Sequence, residues 1–275
     1  MKSEKHKEVP DKIFLDDANR IVNEAQNKDI IIRVVGSVAI RMHCMDFADM
    51  HIRLARLGEI KRSFVDLDFV SYSKQRKQIE PFFANEIKYI PDRHINAYFG
   101  YKRLLFYHPQ GYYHTDIIFD KLEFSHDIFF GNKPGEGRLE VDTHTIPLAE
   151  LILHKLQIHD INEKDFKDMI VLLRAHEIDD RDEKEIINAK YIAKILANDW
   201  GFWYDAKANL EHTKPFAGKY LTQQKIDQID YNVVIKKIDI LLDYIEQEPK
   251  SKKWMKRAKT GIKKPWWRHV EEVVR

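Results

Sequence analysis

From Asp11 to Lys28 apolar residues return every three or four positions, through Phe14, Ala18, Ile21, Val22 and Ala25, and this spacing predicts a helix. The run DIIIRVVGS, residues 29–37, is short and β-branched, and predicts a buried strand ending in a turn at Gly36-Ser37. Helical spacing resumes over 38–57 through Ile40, Met42, Met45, Ile52 and Leu54, with Gly58 as the expected stop. Residues 63–71 read as a second strand, and 74–88 as a polar helix halted ahead of Pro91. Two more strand-like runs flank the turn signal HPQG within RLLFYHPQGYYHTDIIFD, residues 103–120. RLEVDTHTI, 138–146, predicts another strand. From Pro147 onward the pattern is helical, over 147–161, 163–178, 183–199 and 233–248, with the aromatic stretch DWGFWYD joining the last two. The order predicts an α/β domain over 1–147, a helical domain over 148–249 and a tail over 250–275.

One strand breaks the apolar pattern. RSFVDLDFVS, residues 62–71, sets Asp66 and Asp68 two apart, so that in a strand they share a face. Two carboxylates a few ångströms apart repel, and a hard divalent cation such as Mg²⁺ or Mn²⁺ relieves that repulsion while leaving room for substrate phosphates. Asp116, in HTDIIFD, puts a third acid at an otherwise strand-like position; Asp120, at the expected strand end, fits less well. Three acids on adjacent strands suit two-metal phosphoryl or nucleotidyl transfer. Upstream, a strand that ends in Gly36-Ser37 and opens a helix offers backbone N–H groups and a hydroxyl to an anion.

The series VVGSVAI, RSFVDLDFV and HTDIIFD resembles the DNA polymerase β-type nucleotidyltransferase superfamily. PLAELILHKLQIHDINEKDFKDMIVLL, residues 147–173, is similar to the abortive-infection nucleotidyltransferase group, with Lys155, Lys164, Asp165 and Asp168 at the matching positions. The likeness covers roughly residues 30–175. It implies an α/β (α+β) nucleotidyltransferase fold, with a mixed sheet flanked by helices and an all-helical C-terminal domain after it. It also implies Asp66, Asp68 and Asp116 as metal ligands, with Asp116 on the acceptor side. Gly36 and Ser37 would bind nucleotide phosphates, Arg62 would precede the acidic strand, and Lys155 would contact the triphosphate. The implied reaction moves a nucleoside monophosphate from an NTP to a hydroxyl of RNA, protein or a small molecule and releases pyrophosphate. The 28 residues between Ser37 and Asp66 exceed the spacing in compact members of the superfamily. Two alternatives stay open: a nucleotide- or RNA-binding protein without turnover on the same fold, and a toxin-like transferase of a toxin–antitoxin pair.

Composition narrows the setting. Cys44 is the only cysteine, which excludes an internal disulfide and a four-cysteine zinc site. No run approaches the roughly 18 apolar residues of a membrane span, and the charged start MKSEKHKEVPDK lacks a signal-peptide core, so a cytoplasmic protein is expected. Net charge is +2, but residues 250–275 carry ten Lys/Arg against two Glu. Trp254, Trp266 and Trp267 interleave with them, a combination that suits RNA or leaves the tryptophans docked on the body. Neither the adjacent His43-Cys44 nor the pair His154 and His159 has a zinc-ligand spacing. A serine-hydrolase elbow is absent, and nothing in the sequence sets the oligomeric state.

Overall fold

The computed structural model describes residues 9–58 and 63–269. They divide into two compact units that interleave along the chain. The first holds the residues up to Met42, Leu57–Lys121 and Phe130–Ile146; the second holds His43–Arg56, Leu122–Phe129 and everything from Pro147.

In the first unit, α1 (Asp11–Gln26) buries Phe14, Ala18, Ile21, Val22 and Ala25, the stripe its spacing predicts. β1 (Ile32–Val35) is buried along its whole length and runs directly into α2 (Gly36–His43). The predicted 38–57 helix is interrupted. After α2 a short 3₁₀ turn intervenes, α3 (Ala48–Leu54) follows in the second unit, and Ala55, left-handed at φ 50°, ends it three residues before Gly58. The chain returns through β2 (Asp68–Ser71), α4 (Arg76–Pro81), β3 (Ile90–Pro91), α5 (Arg93–Phe99), β4 (Arg103–Tyr107) and β5 (His114–Phe119).

These strands form one mixed sheet in the order β1-β2-β5-β4-β3. β1 is antiparallel to β2, β2 is parallel to β5, and β4 is antiparallel to both β5 and β3. Pro91, which lacks a backbone donor, lies in edge strand β3, where the sheet tolerates it. Beneath the sheet pack Phe69, Phe83 and Phe106, with Phe83 stacked on Phe106 at 5.0 Å.

The strand expected over 138–146 is not formed. Asp142 turns the backbone by accepting the N–H groups of Thr143 and His144, and only Thr145 makes a bridge to Val34 of β1. The Arg33 guanidinium fixes the loop by donating to the carbonyls of Leu139 and Asp142, each at 2.7 Å.

The second unit contains a short hairpin, β6 (Lys121–Glu123) and β7 (Asp127–Phe129), although Lys121 itself falls in the first. It continues with α6 (Leu148–Leu156) and α7 (Glu163–Ala175), then two strands where the sequence predicts helix. β8 (Glu177–Asp179) and β9 (Ile186–Asn188) pair in parallel. Four further helices follow: α8 (Ala189–Leu196), α9 (Trp200–Thr222), α10 (Gln228–Gln247) and α11 (Lys252–Ala258). Their starts carry side-chain caps from Asn188, Asp199, Asp227 and Ser251. DWGFWYD is therefore no linker: Asp199 caps α9 and the aromatics form its first turns. Among the described residues no helix is long and apolar enough to cross a membrane.

Candidate functional site

The sheet register decides which polar residues meet. Val35, the last residue of β1, pairs with Asp68, the first of β2, so Gly36 and Ser37 open α2 beside that aspartate. Gly36 takes φ +75°, and a Cβ built there would meet nothing within 4 Å. The glycine is thus required by the backbone turn, and open space lies above it. Phe69 pairs with Ile117 in parallel β5, which sets Asp116 next to Asp68; the Asp116 N–H donates to Asp68 Oδ1 at 3.1 Å. On the other side of β5, Leu105 of β4 pairs with Asp116, and Arg103 Nε lies 3.6 Å from Asp116 Oδ1.

Asp66 behaves differently from its expected strand partner. The strand begins only at Asp68, and alternation fails ahead of it: Phe64 and Leu67 are both buried and Val65 is exposed. The segment is held instead by side chains. Ser63 N–H donates to Asp11 Oδ1 at 2.9 Å, Arg41 donates to Ser63 Oγ at 3.3 Å, and the Arg41 guanidinium sits over the Phe64 ring. Asp66 remains half-buried. The three carboxylates offer the oxygen-only donor chemistry that a hard cation takes. Among the described residues, however, the set that brings three donor atoms within 4.8 Å of one another lies elsewhere, not at Asp66, Asp68 and Asp116.

Arg41 and Arg103 are the residues that sequence reasoning missed here. Arg41 follows Ser37 by four positions, one helical turn along α2, which was the available signal. Arg103 carried none, because nothing in RLLFY says which strand it will face. Arg62, expected just ahead of the acidic strand, lies outside the described residues.

Lys155 has a different environment from the one expected. It is 3% exposed, in the second unit, with Nζ 2.9 Å from Asp165 Oδ1 and 2.8 Å from Asp168 Oδ2. Asp168, fully buried, also accepts from Arg56 Nε at 3.0 Å and lies 3.1 Å from His51 Nε2. Burial alone would raise the Asp168 carboxyl; the charges of Lys155 and Arg56 outweigh it and hold the group far below the usual carboxylate range. Burial likewise opposes the Lys155 charge, and the two aspartates overcome it and raise the ammonium. Lys155 is thus not an open phosphate contact in this structure but one member of a buried ion network.

The basic tail is docked as far as it is described. Trp266 Nε1 donates to Asp205 Oδ1 at 2.9 Å, Trp267 stacks on His159 with centroids 3.6 Å apart, and Trp254 meets Trp203 edge-on. A cleft of ≈ 880 Å³ runs alongside, lined in part by Trp200, Lys253, Lys256, Arg257, Trp266 and Arg268. No family model matches the chain, and neither the curated proteins nor the solved structures include one that resembles it at a significant level.

Proposed function

We propose that the chain is a metal-dependent nucleotidyltransferase on a nucleotidyltransferase fold, moving a nucleoside monophosphate from an NTP to a hydroxyl acceptor. The reading is carried by one observation: Asp68, paired with the last residue of β1 just before Gly36-Ser37, lies beside Asp116 of β5, whose N–H donates to Asp68 Oδ1. Asp68, Asp66 and Asp116 would hold Mg²⁺, which when bound neutralises triphosphate charge and orients the α-phosphate. The N-terminal N–H groups of α2 and the Ser37 hydroxyl would cradle the phosphates. Asp116 would accept the proton of the acceptor hydroxyl, steered by Arg103.

A second reading has an observation in its favour. The three carboxylates do not converge within 4.8 Å, as a protein that holds nucleotide without turnover would permit. Repulsion between unneutralised acids also accounts for that separation. Incubation with each α-labelled NTP, Mg²⁺, and RNA, the chain itself or small hydroxyl compounds as acceptors separates the two. Transfer of label that Asp68→Asn abolishes supports the transferase; Mg²⁺-dependent nucleotide binding without transfer to any acceptor supports the binding protein.

A further inference from the structure

We propose that His43, His176 and Glu185 form a site for a borderline divalent metal ion, Zn²⁺ or a similar first-row ion, within the second unit. One donor atom from each lies within 4.8 Å of the other two. His43 Nδ1 is 3.1 Å from both Glu185 oxygens, and His176 Nδ1 is 3.4 Å from Glu185 Oε2. Four ligands about 2.0–2.1 Å from a tetrahedral zinc stand roughly 3.3 Å from one another. The two measured edges match that figure, and the third pair of donors lies within 4.8 Å. Two imidazoles and a carboxylate select zinc and its neighbours over magnesium, which takes an oxygen shell.

The surroundings are those of a metal site. His176 Nε2 lies 3.5 Å from the buried Cys44 Sγ, a contact that orients the ring and turns Nδ1 toward the cluster, as outer partners of metal-bound histidines do. Each ligand sits at the end of a packed element. His43 closes α2, His176 caps α7, and Glu185 precedes β9, directly across from His176 in the β8–β9 pairing of Glu177 with Ile186. Glu185 is held at φ +63°, a costly conformation for a residue with a side chain. Both histidine rings are buried, whereas the Glu185 side chain is 46% exposed, which opens one side to solvent. Three protein ligands and an open side leave a coordination position for water or an exogenous ligand. His43 lies 142 residues before Glu185 in sequence, so no local spacing reveals the set. The site shares no residue with the acidic cluster, and its fate is independent of the proposed transfer activity.

The test uses the full chain stripped with chelator and titrated with Co²⁺, whose visible bands report coordination, followed by Zn²⁺ competition. The expected result is one Co²⁺ per chain in the low-coordinate spectrum, displaced by Zn²⁺, and a melting temperature raised by Zn²⁺. Glu185→Gln and His43→Gln should each weaken Zn²⁺ by at least on the order of 100-fold, and Cys44→Ser by about 10–100-fold. If His43→Gln does not fold, Glu185→Gln, altered at a solvent-exposed side chain, decides alone. Absence of stoichiometric Co²⁺ binding, or wild-type affinity in Glu185→Gln, overturns the site and leaves a histidine–glutamate ion pair.

Discussion

At the scale of single residues, the clearest consequence concerns Lys155. Removing one member of a buried ion pair leaves an uncompensated charge, at a cost of about 3–5 kcal/mol. Lys155→Met should therefore lower the urea midpoint by that equivalent, because Asp165 and Asp168 stay buried. A loss below about 1 kcal/mol, the scale of an exposed pair, would contradict this placement. Its neighbour His154 sets a pH dependence. Burial, helped by the Lys155 charge, pushes its imidazole down to about 3, against about 6.5 in an unfolded chain. Between those values the unfolded chain takes up a proton that the folded one refuses, so stability falls as pH drops from about 6.5 toward 3 and is unaffected above 6.5. The urea midpoint measured between pH 7 and 4 should fall less steeply in His154→Gln than in wild type; equal slopes would contradict the assignment.

At the scale of elements, periodicity served where one face of an element does one thing. α1 is amphipathic against the sheet, and its buried positions are the ones its spacing names. Asp68 and Asp116 were legible because a charge inside a strand-like run is rare, and the sheet does set them side by side. Asp66 reads as a strand residue because its flanks alternate, but Ser63 and Phe64 are tied to Asp11 and Arg41 across the sequence, and those contacts override strand propensity. The 138–146 segment failed for a local reason, since Asp142 offers its own backbone a turn. β8 and β9 are three residues each, too short for any period to register. The tail's docking depends on Gly201 near the start of α9, where a Cβ would stand 2.6 Å from the Trp266 carbonyl oxygen. Gly201→Ala improves helix propensity yet should release the Trp266–Trp267 segment, seen as a red shift in tryptophan emission and faster proteolysis after residue 260. Unchanged emission and cleavage would show that the close approach is not needed.

At the scale of the whole molecule, charge is sorted by position. The first unit sets Asp68 and Asp116 side by side with Arg103 next to Asp116, while the second exposes Lys252, Lys253, Lys256, Lys259, Lys263 and Lys264 around docked tryptophans. Because the tail packs through Trp254 and Trp266, deleting it would disturb the second unit, and charge reversal is the cleaner probe of polyanion contact. If RNA is the acceptor, Lys253→Glu with Lys256→Glu should weaken a gel shift about as strongly as raised salt does, with the melting temperature unchanged. RNA binding equal to wild type would remove the cleft from the account. None of these results bears on the acidic cluster as directly as nucleotide binding itself. The melting temperature of wild type and Asp68→Asn, measured with each of the four NTPs with and without Mg²⁺, is that measurement, since a ligand of the folded state must raise it. A metal–nucleotide site at Asp68 requires a Mg²⁺-dependent rise with at least one NTP in wild type that Asp68→Asn loses while keeping its own fold. No rise with any NTP, or an equal rise in the mutant, would contradict a metal–nucleotide site at Asp68.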